Sequence, residues 1–163
     1  MESEIQEIQN PVKKPNEFLK ALTILTFIGC AFALYSAITG YVNSEKQIKE
    51  TEKGLVQMEE NGMSEFWIKS TKDSLIILEQ RNESKTIFLL IDLIAIGLCV
   101  YGALRMRKLQ KIGYYSWLAG ELLPVLFGLI MFGGLMFNYL FLIIMIIPLA
   151  FIIMYTSQLK HME

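Results

Sequence analysis

Residues that usually carry catalytic chemistry are scarce in this sequence. The single histidine, His161, lies near the C-terminus and has no metal-ligating residue close to it in sequence. There is no G-x-x-x-x-G-K-[ST] phosphate loop, no H-E-x-x-H and no G-x-S-x-G motif. An intramembrane protease would need paired aspartates, a serine with a histidine, or zinc ligands within an apolar run, and the sequence offers none of these sets. We therefore predict neither an enzyme nor a catalytic, metal or cofactor site.

Cysteine is also in short supply, and the chain has no excess of positive charge. The two cysteines, Cys30 and Cys99, are far apart in sequence and lack C-x-x-C spacing. This pattern favours small packing residues over a disulfide framework or a zinc site. The formal net charge is −1 and no basic face is evident, so we expect no nucleic-acid partner.

Long hydrophobic runs dominate what remains. Hydrophobic residues make up 53% of the chain, and its mean hydropathy is +0.42. Residues 21–42 contain no charged side chain, and residues 86–104 contain only Asp92. Each of these two runs has about the 20 apolar residues that a helix needs to cross a bilayer. Both are therefore predicted to be transmembrane helices.

A third run, residues 112–157, contains Glu121 as its only charged residue. As one helix it would be roughly 65–70 Å long, about twice the thickness of the hydrocarbon layer. It must therefore fold back on itself, and the glycines and asparagine of "GGLMFN" (133–138) favour a turn there.

We therefore predict an all-α, polytopic membrane protein with four transmembrane helices and an extracytoplasmic helical hairpin between membrane helices 1 and 2. The acidic segment before the first run and the length of that run favour an uncleaved helix over a signal peptide. The predicted segments, in chain order, are an N-terminal tail (1–17), membrane helix 1 (18–42), the hairpin (43–85), membrane helix 2 (86–106), a basic loop (107–113), membrane helix 3 (114–134), a turn (135–137), membrane helix 4 (138–157) and a C-terminal tail (158–163).

Basic residues predict the orientation, because they mark the cytoplasmic side of membrane helices. With four crossings, the basic clusters next to helix 1, between helices 2 and 3 and after helix 4 all fall on one side of the membrane. We therefore expect both termini in the cytoplasm and the 43–85 segment outside. These clusters are Lys13, Lys14, Lys20, Arg105, Arg107, Lys108, Lys111 and Lys160.

The polar hairpin is expected to contain helices near 44–60 and 64–82, separated by Asn61-Gly62 as a helix stop. An apolar stripe on the second helix, formed by Trp67, Thr71, Leu75 and Leu78, is expected to bury against the first. Ile76 and Ile77 fall outside this stripe and are available for contact with lipid headgroups, a second copy or another protein. The candidate interaction surface of the hairpin consists of Trp67, Leu75, Ile76, Ile77 and Leu78.

Small residues share one face on each of the first two membrane helices. Such faces let membrane helices approach closely, so we expect membrane helices 1 and 2 to pack along them, with Asp92 pointing into the contact. The small residues are Gly29, Ala33 and Ala37 on helix 1 and Ala95, Cys99 and Ala103 on helix 2.

The two intramembrane acids, Asp92 and Glu121, are functional candidates, although each could instead be a hydrogen-bonded structural group. Each lies roughly 9 Å from its nearer surface, so they are staggered by about 10 Å, too far to share a proton or a metal. We expect no lysine or arginine deep enough to pair with Asp92, which leaves hydroxyls as its partners. The candidate groups are Ser36, Thr39 and Tyr35 for Asp92, and Arg105 or Lys108 for Glu121.

Residues 106–125, "MRKLQKIGYYSWLAGELLPV", combine a basic turn, Gly-Tyr-Tyr and Glu-x-x-Pro. This segment resembles one in small uncharacterised four-helix inner-membrane proteins of Bacteroidota-type bacteria. The resemblance implies a cytoplasmic-membrane protein with a periplasmic hairpin and implies no activity. Tetraspanins and claudins share the four-span layout, but the cysteine motifs of their outer loop are missing here.

These observations favour an integral membrane protein that acts by interaction, as a subunit, scaffold or regulator of a membrane complex. Its expected partners are the lipid bilayer and either a second copy or another membrane protein. The alternative is a transport or channel component that uses Asp92 and Glu121. A lipid- or small-molecule-binding module is a third class, for which the sequence indicates no set of residues.

Overall fold

The computed structural model describes residues 15–136 and 139–162, and this part of the chain is all-helical. Two residues of the expected basic cluster, Lys13 and Lys14, lie outside the described residues. So do Phe137 of the expected turn and Asn138 at the expected start of membrane helix 4. The helices are α1 (Glu17–Val42), α2 (Ser44–Glu60), α3 (Glu65–Glu83), α4 (Lys85–Arg107), α5 (Lys111–Phe132) and α6 (Tyr139–Gln158), with 3₁₀ turns at Gly133–Met136 and Leu159–His161.

Within the described residues, three helices are long and apolar enough to cross a membrane: α1, α4, and α5 together with the 3₁₀ turn that follows it. The shortest of them has 23 residues, which is about 35 Å of helix against a hydrocarbon layer of about 30 Å. By length and composition, these helices are compatible with a multi-pass membrane protein.

Single residues separate the membrane-length helices from the polar pair. Asn43 alone lies between α1 and α2, and Ser84 alone lies between α3 and α4. Their ψ angles of 17° and 26° depart from helical values, so the chain is interrupted at both points. Between α2 and α3, Gly62 has a φ of +63°, which glycine adopts without strain. The Asn61-Gly62 stop expected from the sequence therefore coincides with the end of α2.

The two ends of the bundle differ in charge, and we name them accordingly. The basic end is where α1 and α5 begin and α4 and α6 end, and it carries Arg105, Arg107 and Lys111. There the Asn16 side chain donates a hydrogen bond to Oε1 of Gln158 at 2.8 Å, so the start of α1 lies beside the end of α6. The opposite end, which carries α2 and α3, is the α2–α3 end.

The tightest packing is at the basic end. Trp117 of α5 and Tyr155 of α6 are 1% and 0% exposed, and their ring centroids are 4.7 Å apart. The Tyr155 hydroxyl shares a buried 2.7 Å hydrogen bond with the Thr26 hydroxyl of α1. A tilted aromatic contact and a satisfied buried hydrogen bond therefore join three helices at this end.

Glycine brings α4 and α5 close together. A Cβ atom added at Gly102 would lie 2.6 Å from the Gly113 carbonyl oxygen, and one added at Gly113 would lie 2.5 Å from the Met106 nitrogen. A Cβ at Gly120 would lie 2.6 Å from Cys99 Sγ. The backbones approach at distances that no larger residue would allow, as in other close contacts between membrane helices.

The small-residue face of α4 is buried as expected, but its closest partner is α5. Cys99 and Ala95 face Gly120, whereas Gly29 and Ala33 of α1 are exposed, and nothing lies within 4 Å of a Cβ added at Gly29. Close α1–α4 packing along Gly29 and Ala33 is therefore not what the structure has, because the glycines of α5 take the position next to α4. The buried members of the expected set are Ala37, Ala95, Cys99 and Ala103.

The polar helices α2 and α3 contact each other side by side. Lys72 forms a 2.7 Å ion pair with Glu59, and the Thr71 hydroxyl contacts the Met58 sulfur at 3.5 Å. Trp67, expected in the buried stripe, is instead 47% exposed, because it lies one turn from the open end of the pair. Of the remaining expected surface residues, Ile76 is exposed, whereas Leu75, Ile77 and Leu78 are half-buried.

Candidate functional site

Asp92 has a basic partner that sequence reasoning missed. Its carboxylate accepts a 2.6 Å hydrogen bond from Nη2 of Arg81, in the last turn of α3. The expectation that no lysine or arginine could reach Asp92 is therefore wrong. The Arg81 guanidinium also lies 5.3 Å from the centre of the Phe88 ring, which makes a cation–π contact.

The spacing of the pair explains both the contact and the error. The two residues are 11 positions apart, which is close to three turns and would place them about 16 Å apart along one straight helix. The interruption at Ser84 and the length of the arginine side chain close this gap. The spacing of 11 residues could have indicated that Arg81 and Asp92 share a helical face. The interruption at Ser84, which makes their contact possible, had no comparable signal in the sequence.

The expected hydroxyl partners of Asp92 are engaged differently. Thr39 donates to the carbonyl oxygens of Tyr35 and Ser36 in its own helix, at 2.9 and 3.2 Å. The Tyr35 side chain is exposed, and Ser36 lies in the wall of a cavity together with Asp92. Threonine often donates a hydrogen bond to its own helix in this way. The Thr39 hydroxyl therefore does not donate to the Asp92 carboxylate.

Glu121 has a different environment from Asp92. The Cys99 thiol lies 3.9 Å from its Oε1 atom. Among the described residues, the ion pairs shorter than 4.0 Å do not include Glu121. Arg105, one of its expected partners, instead donates to the Tyr101 hydroxyl and to Oε1 of Gln110, both at 2.9 Å. Glu121 is thus an acid without a counter-charge in the part of the chain that the structure describes.

The two cysteines lie beside this acid. Cys30 of α1 and Cys99 of α4 are buried free thiols that belong to the same apolar cluster. The Cys99 sulfur also lies 3.7 Å from the Trp117 carbonyl oxygen. The sequence suggested packing residues for both, and nothing in their spacing indicated that the fold would bring them together next to Glu121.

One cavity of about 710 Å³ brings the two acids and the two cysteines together. Its wall is formed by α1, α4, α5 and α6, with Arg81 from α3 at one side. Asp92, Glu121 and both cysteines line it, and most of the other lining residues are apolar. The two acids expected from the sequence therefore share one cavity, although no direct contact links them.

A smaller pocket of about 110 Å³ adjoins the cavity toward the α2–α3 end. The two share part of their walls, including Arg81 and Asp92, so this ion pair lies between them. Lys85 and Asn82 line only the smaller pocket, and the Asn82 Oδ1 atom is buried without a hydrogen-bond partner. Polar groups thus lead from the α2–α3 end to the ion pair, and apolar walls begin beyond it.

The described residues contain no group of three His, Cys, Asp or Glu side chains placed to hold a metal ion. Comparisons of the chain with protein-family models, with curated proteins and with solved structures found no match. The function must therefore be inferred from the geometry of this cavity and of the surfaces around it.

Proposed function

We propose that the chain is a four-span protein of the cytoplasmic membrane, with α1, α4, α5 and α6 as its crossings and α2–α3 outside. The 20 residues of α6 contain no charged side chain and would span about 30 Å. An even number of crossings puts both chain ends on one side, and the contact between Asn16 and Gln158 supports this. The arginines and lysines of the basic end favour the cytoplasm for that side.

The topology is testable with a cysteine placed on the α2–α3 pair. In a Cys30→Ala/Cys99→Ala background, Gln57→Cys should react with a membrane-impermeant maleimide in intact cells whose outer membrane has been permeabilised. Lys108→Cys, at the basic end, should react only after the inner membrane is opened. The reverse pattern would invert the proposed orientation.

We propose further that the protein acts by interaction, as a subunit, scaffold or regulator of a membrane complex. The observation that carries this is the exposed apolar surface of α2–α3, which we define as Val56, Met63, Trp67 and Ile76, each at least 40% exposed. These side chains belong to two otherwise polar helices and, for Met63, to the turn between them. We expect these side chains to form one patch, and contiguous exposed apolar patches often mark contacts with proteins. A second copy of the chain or another membrane protein is the expected partner.

The test is the mass of the native assembly. The full-length protein, extracted from its membrane in polymer discs, should travel with a defined partner or as a defined oligomer. Trp67→Ala combined with Ile76→Ala should shift it toward the monomer, while Gln57→Ala, an exposed polar control on α2, should leave the mass unchanged. The proposal would be contradicted if the wild-type protein were a monomer, or if the double substitution left the mass of the assembly unchanged.

A second function is favoured by the cavity itself: a transport component in which Asp92 and Glu121 line the path. Ionisable groups within membrane segments commonly mark substrate or ion pathways. In proteoliposomes, ion- or proton-coupled flux by the wild-type protein should disappear in Asp92→Asn while the protein remains folded. Absence of wild-type flux under every gradient tried would remove this candidate.

A further inference from the structure

The charged groups that line the large cavity do not balance. Asp92 is paired with Arg81 at 2.6 Å, whereas Glu121 has no counter-charge within 4.0 Å in the described ranges 15–136 and 139–162. A carboxylate in a membrane interior is costly to keep ionised unless a positive charge lies beside it. The wall of the cavity therefore offers one unmatched site for a positive charge.

The backbone near Glu121 adds negative potential. Pro124 lies within α5 one turn after Gly120, and both line the cavity. Proline has no N–H group, so it cannot donate the helical hydrogen bond to the Gly120 carbonyl oxygen. A carbonyl relieved of that bond and a carboxylate at the next residue both favour a cation at this wall.

The rest of the cavity indicates what kind of cation fits. Phe32, Ile96 and Phe151 are among its apolar lining residues, and aromatic faces attract organic cations. A volume of about 710 Å³ suits a drug-sized organic molecule. A divalent metal ion is disfavoured, because the described residues contain no set of three acidic, cysteine or histidine ligands for it.

We propose that this cavity binds a lipophilic organic monocation, of the ammonium or phosphonium class, with its charge beside Glu121 and its apolar body against α1 and α6. The Arg81–Asp92 pair keeps the other end of the cavity neutral, so Glu121 alone determines the sign of the ligand. The proposal rests on the membrane topology proposed above, and it identifies a ligand class for the transport candidate.

The first test uses tetraphenylphosphonium as the probe, with the full-length protein in lipid nanodiscs. Equilibrium dialysis should show saturable binding of one cation per chain. Tetraphenylborate, of nearly the same size and opposite charge, should show only unsaturable partition into the lipid. Saturable binding of tetraphenylborate with equal affinity would overturn the proposal, because hydrophobic capture would then explain both.

Substitution of the acid tests its role. Glu121→Gln should lower the affinity for tetraphenylphosphonium at least tenfold, and Glu121→Asp should retain most of it because the charge remains. Both variants are compared with the wild type by gel filtration and thermal unfolding. Equal affinity in wild type and Glu121→Gln would overturn the proposal.

The position of the ligand is tested from the opposite wall. Ala33 of α1 lines the cavity, whereas Ala31 of the same helix is exposed and lines neither cavity nor pocket. Ala33→Trp should fill the cavity and reduce binding at least tenfold, and Ala31→Trp should leave it within twofold. Binding that survives Ala33→Trp would place the site elsewhere and overturn the proposal.

These readouts separate this inference from the functions proposed above. If the protein shows no saturable binding of tetraphenylphosphonium, but has the expected maleimide labelling and native assembly, only the cation site is overturned. A reversed maleimide pattern with binding intact would instead correct the orientation and leave the site in place. If the protein binds tetraphenylphosphonium but shows no flux in proteoliposomes, the transport function is excluded and a ligand-binding function is retained.

Discussion

The basic end of the bundle and its opposite half are built from the same apolar residue types, yet they pack very differently. At the basic end, Gly102 and Gly113 bring two backbones together and Trp117 is almost fully buried. In the other half, Gly29 and Ala33 are exposed at the edge of a cavity of about 710 Å³. Small residues therefore permit close contact between helices but do not by themselves produce it.

This difference separates two roles within one bundle. Dense packing stabilises a fold, because each apolar contact and each satisfied hydrogen bond adds to it. A cavity forgoes some of those contacts and leaves room for a ligand. We therefore expect substitutions at the basic end to change stability, and substitutions around the cavity to change binding.

The largest effect is expected from breaking the close contact at the basic end. Gly113→Leu would place a side chain where even a Cβ atom lies 2.5 Å from the Met106 nitrogen and 2.6 Å from the Gly102 carbonyl oxygen. We expect a loss of about 3 kcal/mol or more in the free energy of unfolding, measured by denaturant titration in detergent. Gly97→Ala is the control, since nothing lies within 4 Å of its added Cβ. A stable Gly113→Leu protein would contradict the close α4–α5 packing.

The next effect sharpens the contrast between the two acids of the cavity. Arg81→Gln would leave Asp92 unpaired and should raise the affinity for tetraphenylphosphonium. A charge about 10 Å from the ligand in a medium of dielectric constant about 20 contributes roughly 1.7 kcal/mol, or a factor of about ten or more in affinity. Asp92→Asn should lower the affinity by a similar factor, and the double variant should return near the wild type. Equal affinities across the series, from dialysis, would show that the Arg81–Asp92 pair does not influence the cavity.

A smaller effect concerns the buried hydrogen bond between Thr26 and Tyr155, at the boundary between the basic end and the cavity. Tyr155→Phe removes the hydroxyl that lies 2.7 Å from the Thr26 hydroxyl. Hydrogen bonds between membrane helices contribute about 0.6 kcal/mol on average and up to about 1.7 kcal/mol. We expect a loss of free energy of unfolding in that range. Thr26→Val should cause almost no further loss in the Tyr155→Phe background, because the bond is already broken there. A full second loss in the double variant would mean that the two hydroxyls act independently.

The smallest effect on stability is expected on the α2–α3 surface. Trp67 is 47% exposed, so Trp67→Ala should change the free energy of unfolding by less than about 0.5 kcal/mol. The same substitution, combined with Ile76→Ala, should alter the mass of the native assembly. A large loss of stability in the isolated protein would show that Trp67 supports the fold, and would weaken its assignment to an interaction surface.

Much of the helical layout was predictable from local sequence. The expected helices near 44–60 and 64–82 correspond to Ser44–Glu60 and Glu65–Glu83 in the structure. Asn61-Gly62 determines this boundary, because glycine adopts the positive φ that ends α2. The apolar runs similarly locate α1, α4 and α5, since hydropathy and the absence of charge are properties of the chain itself.

The partners within the site were much less predictable. Asp92 and Glu121 stand out in the sequence as acids in apolar runs, so both candidates could be named. The contact of Arg81 with Asp92 depends on a one-residue interruption at Ser84, whose effect on direction the sequence does not specify. The meeting of Cys30 with Cys99 depends on the rotation of α1 about its own axis, which no local pattern sets.

The sequence by itself thus determined where helices begin and end, which of them are long and apolar enough to cross a membrane, and which two acids lie within them. These properties follow from backbone preferences and side-chain polarity over a few neighbouring residues. Only the tertiary structure decided that α5 lies closest to α4, that Arg81 pairs with Asp92, and that Glu121 lines a cavity without a counter-charge among the described residues. The physical reason is that helix rotation, spacing and bending are set by packing between segments distant in sequence.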